Sequence, residues 1–232
     1  MQIIVNHLTR MRPGYICVAG FDVDAGRPVR PVLDWANLDT TLLRQHGGPF
    51  DLAGRIDLGP VKPCGQAPEV EDHRFERRHA RWLGDVAPAK FWALLDRAAQ
   101  PAFQAIFGPE LHPYHGGAVV PVGHGRASLG CLRVTTRPEL VLTPEGKLRL
   151  LVSSPAGVLN LAVTDLRLYD YTGGQYVPRA ALITQVGARI AAGVGLILSV
   201  GLGRPYKGLD DPAPQHWLQV NNLHLEDDPT WR

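Results

Sequence analysis

Two segments, one near each end of the chain, place arginines a few residues before aromatic residues. A surface that binds single-stranded nucleic acid needs both kinds of side chain, because cations neutralise the phosphates and flat rings stack on the bases. The alternative for each aromatic residue is a place in the hydrophobic core, and for each arginine a solvated loop. The residues that we expect to form such a surface are Arg10, Arg12, Tyr15, Arg27, Arg30, Trp35, Arg204, Tyr206, Lys207, His216 and Trp217.

The acidic segment of residues 69–73 offers a different chemistry. On a strand, Glu69, Glu71 and His73 would share one face, and Asp72 lies between them. Carboxylates and a histidine can hold Mg²⁺ or Mn²⁺ for phosphodiester hydrolysis. Acidic clusters beside prolines are more often solvated turns, and the spacing of known nuclease motifs is missing. A metal-dependent hydrolase or nuclease is therefore the second hypothesis.

Residues 112–125 hold His112, His115 and His124 within a glycine-rich segment. Three histidines could bind zinc, but Pro113 forbids a regular helix there, and a mobile loop is the simpler prediction. The glycines of residues 187–203 follow a predicted helix, whereas a dinucleotide-binding motif needs a strand, then glycines, then a helix. No G-x-S-x-G nucleophile motif occurs. We therefore predict no catalytic residue, no metal site and no cofactor.

The elements that must position these side chains are predicted to be mostly short strands. The 25 glycines and 20 prolines are spread along the whole chain, which is typical of many strands joined by turns. The predicted strands cover residues 3–8, 15–23, 27–33, 56–61, 128–135, 139–143, 147–153, 159–169, 196–202 and 217–225.

Two longer helices are predicted over residues 85–107 and 178–192. Apolar residues recur at helical spacing in the first, and Pro101 should kink or divide it. Asp85 is the expected N-cap of that helix. Residues 35–48 could hold a further short helix, capped by Asp39 or Thr40.

The two ends of the chain resemble each other. Leu8 and Arg10 match Leu202 and Arg204, and an aromatic residue opens the strand after each arginine loop. We interpret the match as an internal repeat, although two amphipathic hairpins can also agree by coincidence. A repeat implies two related β units, at residues 1–135 and 136–232. The halves could be permuted, or the chain termini could pair across one barrel.

Residues 17–22 read Cys-Val-Ala-Gly-Phe-Asp, and residues 26–32 read Gly-Arg-Pro-Val-Arg-Pro-Val. This run resembles the dual OB-containing domain, a prokaryotic family built from two OB-fold barrels. Residues 216–225 resemble the matching end of the second barrel, while Pro28 replaces the aromatic residue usual in the family. The resemblance implies a mainly β protein with two OB-like β-barrels and inserted helices. It also implies nucleic-acid binding in DNA processing or mobile-element defence, and it brings no catalytic residues.

Composition limits the classes of protein. The 232 residues are 45% hydrophobic and 20% charged, as in a folded globular protein. No apolar run reaches the roughly 18 residues of a membrane-spanning helix, and the N-terminus lacks a secretory signal, so we expect a cytoplasmic protein with no membrane partner. The three cysteines are dispersed, which argues against a disulfide framework.

The expected function is sequence-tolerant binding of single-stranded or partly opened nucleic acid. The protein would act as an accessory subunit that delivers its ligand to an enzyme partner. A net charge of only +2 does not by itself indicate nucleic-acid binding. A protein–protein interaction module therefore remains a third hypothesis, alongside the metal-dependent hydrolase.

Overall fold

The computed structural model describes residues 1–155, 157–208 and 211–231. Strands account for 46% of the residues and helices for 18%. The predicted mainly β class is therefore confirmed. The strands form two large curled sheets and one separate hairpin.

The first sheet is built from the N-terminal part of the chain. Its spatial order is β6-β7-β3-β2-β1-β5-β8, with β4 also paired to β2. Strand β2 pairs with β3 through Gly20 and Phe21, and with β4 through Tyr15 and Ile16, so the sheet curls along β2. Its strands are β1 (Gln2–Arg10), β2 (Tyr15–Asp22), β3 (Pro28–Val32), β4 (Leu38–Asp39), β5 (Gly54–Asp57), β6 (Val61–Pro63), β7 (Asp72–Phe75) and β8 (Arg81–Asp85).

Two helices follow the first sheet, α1 (Pro88–Ala98) and α2 (Phe103–Phe107). A single helix was predicted here, and Pro101 divides it as expected, with the short strand β9 (Ala99–Gln100) between the two parts. Asp85 is not the N-cap, because it belongs to β8 and the helix begins at Pro88. No helix in the described part of the chain is long and apolar enough to cross a membrane.

The second sheet has the order β13-β14-β15-β19-β18-β12-β9, and β11 joins it along β19 with β10 at its edge. Strands β16 and β17 form a separate hairpin, followed by helix α3 (Ala180–Ala191). The strands are β10 (His112–Tyr114), β11 (Gly117–Pro121), β12 (Leu129–Val134), β13 (Glu139–Leu142), β14 (Leu148–Ser154), β15 (Gly157–Val163), β16 (Tyr169–Thr172), β17 (Gln175–Pro178), β18 (Leu196–Leu202) and β19 (Gln215–Leu225).

Strand β19 organises the second sheet. It is antiparallel to β18, parallel to β15 through Val220, and antiparallel to β11 through Trp217. The register with β18 shifts between Ser199 and Val200, and such a bulge bends the strand and increases its twist. The second sheet is therefore curled like the first, and the identity of either sheet as an OB fold stays a prediction.

Each sheet has its own hydrophobic core. The first core includes Ile3, Phe50 and Phe91, and the second includes Leu161 and Ile183. Residues 99–134 contribute strands to the second sheet, so the chain passes from the first sheet to the second between β8 and β9. The sequence did not predict that β9 and β12 belong to the second sheet, because each pairs with a strand that lies far along the chain.

The central strands β1 and β19 of the two sheets contact each other. The backbone N–H of Leu8 donates to Asn222 Oδ1 at 2.8 Å, and Asn222 Nδ2 donates to the Leu8 carbonyl at 3.2 Å. Asn6 Nδ2 donates to Ser199 Oγ at 3.1 Å. Although they are in contact, β1 and β19 belong to different sheets and do not pair as neighbouring strands.

The two segments of the predicted repeat are both antiparallel hairpins, β1–β2 and β18–β19. Leu8 lies opposite Val18, whereas its counterpart Leu202 lies opposite Leu218. The two hairpins therefore differ by two residues in register from the sequence match. The repeat itself remains an interpretation of the sequence.

Two local predictions differ from the structure. Residues 35–48 form two single 3-10 turns, Thr40–Leu42 and Arg44–His46, and the Asp39 carboxylate caps the first by accepting from the Thr41 N–H. Residues 112–125 are not a mobile loop throughout, because β10 and β11 pair and β11 is buried against β19. The burial of β11 explains the error, since pairing to a distant strand leaves little local signal.

Candidate nucleic-acid interface

The described structure contains a cleft of about 360 Å³ between the two halves. The first half contributes the 3-10 turn around Arg44, and the second contributes the hairpin β16–β17. We call this cleft the tyrosine cleft, defined by the lining residues Arg44, His46, Tyr169, Tyr171, Tyr176 and Arg179.

Aromatic and cationic side chains form a row that begins at Tyr171 and Tyr176, which line the tyrosine cleft, and continues beyond its lining to Tyr15 and Arg12. The guanidinium of Arg12 lies over the Tyr15 ring, 4.4 Å from its centroid. The Tyr176 hydroxyl donates to the Tyr15 carbonyl at 2.9 Å, and the rings of Tyr171 and Tyr176 are 5.0 Å apart. The predicted residues Arg12 and Tyr15 are thus connected, through Tyr15, to tyrosines of the second half of the protein.

Two further stacked pairs flank this row. The Arg10 guanidinium lies 4.3 Å from the centroid of the Tyr169 ring, and Arg44 lies 4.4 Å from the centroid of the Trp82 ring. Arg10 and Tyr169 come from different halves of the chain. Stacking of this kind fixes a flexible arginine side chain in place and leaves its charge uncompensated.

Tyr169 and Tyr176 of the cleft stay protonated at neutral pH. Burial, and then the neighbouring Tyr171 hydroxyl, raise the pKa of Tyr176 to about 12. Burial also raises the pKa of Tyr169, and its hydroxyl donates to the Val163 carbonyl at 2.8 Å. Neutral rings add no negative charge that would repel a phosphate.

Acidic residues compensate part of the positive charge in the cleft. Arg179 approaches Asp170 at 3.7 Å, and Arg167 pairs with the fully buried Asp165 at 2.7 Å. Asp51 also lines the cleft. Arg12 and Arg44 form no ion pair with a residue in the described parts of the chain, so they are the cations most available to a ligand.

The predicted residues Arg30 and Arg204 lie elsewhere, in a network of charges that joins the two halves. Arg30 pairs with Asp72 through one carboxylate oxygen, and Arg204 pairs with the other at 2.7 Å. A second nitrogen of Arg204 lies 2.7 Å from Glu69. Both predicted phosphate ligands are therefore engaged by carboxylates.

The same network accounts for the acidic segment. The Glu71 carboxylate accepts hydrogen bonds from the backbone N–H and hydroxyl of Ser128 at 2.9 and 2.8 Å, and from the Leu129 N–H. The His73 ring contacts the Glu71 carbonyl. Within residues 1–155, 157–208 and 211–231, no group of three or more histidine, cysteine or acidic side chains is placed to share a metal ion.

The remaining predicted residues are scattered. Trp35 is 96% exposed in the loop after β3, and Arg27 is exposed before that strand. Tyr206 and Lys207 are exposed in the segment between β18 and β19. None of these four residues lines the tyrosine cleft.

His216 and Trp217 occupy structural positions at the start of β19. His216 is buried, and its Nδ1 donates to the Gly203 carbonyl at 2.8 Å. The half-buried Trp217 ring packs against Tyr114, with centroids 5.6 Å apart. For these two residues the core interpretation describes the structure better than the ligand-binding one.

Sequence reasoning missed several residues of the cleft. Arg44 and Trp82 belong to no sequence motif. They come together because folding places the 3-10 turn Arg44–His46 beside β8. A signal did exist for the hairpin β16–β17, because three tyrosines surround the Gly-Gly turn of residues 173–174. The missed lining residues are Arg44, His46, Tyr169, Tyr171, Tyr176 and Arg179, and Trp82, which stacks with Arg44 outside the lining, was missed as well.

The segments that resemble the dual OB-containing domain lie mainly in β2, β3 and β19. These strands are internal in their sheets, and most of their residues are buried. Comparison of the whole chain with models of protein families, with curated proteins and with solved structures finds no match.

Proposed function

We propose that this protein binds single-stranded or partly opened nucleic acid in the tyrosine cleft. The observation that carries the proposal is the row of cations and rings that crosses from one half to the other. Arg12 stacks on Tyr15, the Tyr176 hydroxyl donates to the Tyr15 backbone carbonyl, and the Tyr171 ring lies beside that of Tyr176. Such a row supplies the two interactions that a single strand needs and that a duplex, with its bases paired, cannot use fully.

In this proposal the arginines contact phosphates and the rings contact bases. Arg12 and Arg44 neutralise the backbone without competition from an acidic partner in the described part of the chain. The exposed Tyr171 and the half-exposed Trp82 offer ring faces for stacking, which contributes about 1–3 kcal/mol per base. Stacking tolerates every base, so the binding is expected to be insensitive to sequence.

The weak net charge also bears on the role of the protein. A chain with a charge of only +2 gains little affinity from long-range attraction to nucleic acid, so affinity must come from the local contacts of the cleft. We therefore propose an accessory role, in which moderate affinity lets the protein deliver a single strand to an enzyme partner.

Fluorescence anisotropy with labelled oligo(dT), oligo(rU) and a duplex of equal length tests the proposal at two salt concentrations. We expect the single strands to bind more tightly than the duplex, with an affinity that falls as salt rises. Replacing Arg44 by glutamine should lower the slope of log K against log salt by about 0.7, the value for one phosphate contact on a single strand.

Matched variants locate the site. Tyr171→Ala should weaken binding about tenfold through loss of stacking, whereas Tyr206→Ala, which removes an exposed tyrosine outside the cleft, should not. Arg204→Gln should change the salt slope little, because Arg204 is held by Asp72 and Glu69. Absence of binding at low salt, or equal losses in the two tyrosine variants, would overturn the proposal.

A protein partner is the second candidate ligand, favoured by a single observation. Trp35 is 96% exposed, and exposed tryptophans are enriched among the residues that dominate protein interfaces. A partner that docks there should be retained from a host lysate by the native protein and lost with Trp35→Ala, while single-strand binding stays unchanged.

A further inference from the structure

A second cavity, of about 570 Å³, lies between the halves and shares no lining residue with the tyrosine cleft. Its volume falls in the range of small-molecule pockets, roughly 300–1,000 Å³. Phe21 and Pro28 from the first half and Ile106 and Leu129 from the second half line it. The walls are therefore more apolar than polar, and their apolar part can contact a planar ring system.

His73 lines this cavity and is only 3% exposed. Its Nδ1 lies 2.7 Å from the Glu71 carbonyl oxygen. A carbonyl only accepts hydrogen bonds, so Nδ1 carries the hydrogen, and Nε2 of the neutral ring is an acceptor. Nε2 is buried and has no hydrogen-bond partner among the described residues. A buried acceptor without a partner is costly, and a ligand N–H would satisfy it.

Arg27 also lines the cavity, and its side chain is exposed. It forms no ion pair with any residue in the ranges that the structure describes, unlike Arg30 nearby in the sequence. The other charged residue of the wall, Glu71, is already engaged by the hydrogen bonds from Ser128 and Leu129. The cavity thus offers one uncompensated cation at an exposed position and one buried acceptor.

We propose that this cavity binds a single nucleotide. The base lies between the apolar walls and donates an N–H to His73 Nε2, and the phosphate contacts Arg27. All four common bases carry an N–H donor on their pairing edge, so the proposal covers the class and not one base. The ligand is either a free nucleoside monophosphate or the phosphorylated end of a strand. This site goes beyond the proposed function, because it uses a different cavity.

Isothermal titration calorimetry with AMP, GMP, CMP and UMP tests the proposal on the full chain. We expect saturable binding of at least one of them. Arg27→Gln should weaken that binding about tenfold, as loss of a hydrogen bond to a charged group does. Arg97→Gln is the matched control, because Arg97 is an exposed arginine of α1 that does not line the cavity.

A second pair of variants tests the location. Ala105→Leu fills the cavity from α2 and should abolish binding, whereas Ala105→Ser keeps the cavity open and should not. Should Ala105→Leu fail to fold, the Arg27 and Arg97 variants decide the question. Absence of saturable binding for all four nucleotides and for a 5′-phosphorylated dinucleotide would overturn the proposal, as would equal affinities of Arg27→Gln and Arg97→Gln.

Further measurements separate this site from the tyrosine cleft and identify the source of the ligand. Arg44→Gln should leave mononucleotide binding unchanged, and Arg27→Gln should leave the binding of oligo(dT) without a terminal phosphate unchanged. Binding of the 5′-phosphorylated dinucleotide but not of the free nucleotides would assign the cavity to a strand end. The reverse result would assign it to a free nucleotide.

Discussion

Arg204 forms an ion pair with Asp72 at 2.7 Å, across the contact between the two halves of the protein. From the sequence, Arg204 was expected to contact phosphate and Asp72 was a candidate metal ligand. Arg30 holds the second oxygen of the same carboxylate. These charges satisfy one another, and the network therefore serves first to join the sheets.

Removing the shared carboxylate should destabilise the protein. With Asp72→Ala, the nearly buried Arg30 loses its acidic partner, and breaking a buried ion pair typically costs about 3–5 kcal/mol. Urea denaturation measures the change in the free energy of unfolding. As a control, Asp34→Ala breaks the exposed pair with Arg74 and should cost less than about 1 kcal/mol. Equal losses in the two variants would contradict this account.

Glu71 should tolerate glutamine far better than alanine. Its Oε1 accepts from two backbone N–H groups, those of Ser128 and Leu129, and a glutamine oxygen can do the same. Alanine leaves both buried donors unsatisfied, at about 1–3 kcal/mol each.

Burial also raises the pKa of Glu71 above its usual value. The native state therefore holds this proton more tightly than the unfolded chain, so the contribution of Glu71 to stability declines as the pH rises through its native pKa. Glu71→Gln, compared with the native chain by thermal melting, should be relatively more stable at neutral than at acidic pH. A Gln variant as unstable as the Ala variant would count against the geometry.

Stability should fall as the pH drops below about 6.5, the ordinary pKa of histidine. Burial, and then the charge of Arg30, lower the pKa of His7 to about 3, and burial lowers that of His224 well below the usual value. His7 Nδ1 accepts from Asn221 Nδ2 at 3.0 Å, which requires an unprotonated nitrogen. Between these pH values the unfolded chain takes up protons that the native state excludes.

The expected slope is about 1.4 kcal/mol per pH unit for each of these histidines. Urea denaturation between about pH 7 and pH 5 measures it, in a range where carboxylates with ordinary pKa values stay ionised. His7→Asn should flatten the dependence, whereas His46→Asn, at an exposed position, should not. An unchanged slope in His7→Asn would show that His7 is not the group responsible.

The three cysteines should differ in reactivity. Cys64 is exposed, whereas Cys131 is buried and its pKa is raised to about 12 by that burial. Burial also raises the pKa of Cys17. Since the thiolate is the reactive form, Ellman's reagent should label one thiol quickly in the native protein. Cys64→Ser should remove the fast phase, and three equal rates would refute the prediction.

Much of the fold could be predicted because its signals are local. The hairpin strands β1, β2 and β18 were predicted to within two residues at each end, since apolar alternation and turn residues mark them directly. The division at Pro101 followed from the chemistry of proline alone. The short strands β7 and β8 and the hairpin β16–β17 were missed because they depend on their pairing partners. β8 and the hairpin are exposed in large part, and β7 is mostly buried but polar in sequence.

The candidate site was predicted only in part. Arg12 and Tyr15 are near neighbours in the sequence, and their stacking follows from a tight turn between β1 and β2. Arg44 and Trp82 meet across 38 residues of chain, and no pattern in the sequence connects them. The tyrosine cleft therefore needed the packing of the two halves to become visible.

The amino-acid sequence alone determined the mainly β class and the arginines and aromatic rings available to a ligand, because periodicity and composition are properties of the chain itself. Only the tertiary structure decided which arginines remain available. The pair of Arg204 with Asp72 joins residues 132 positions apart, and a carboxylate at that separation neutralises a guanidinium only when folding brings the two within hydrogen-bond distance.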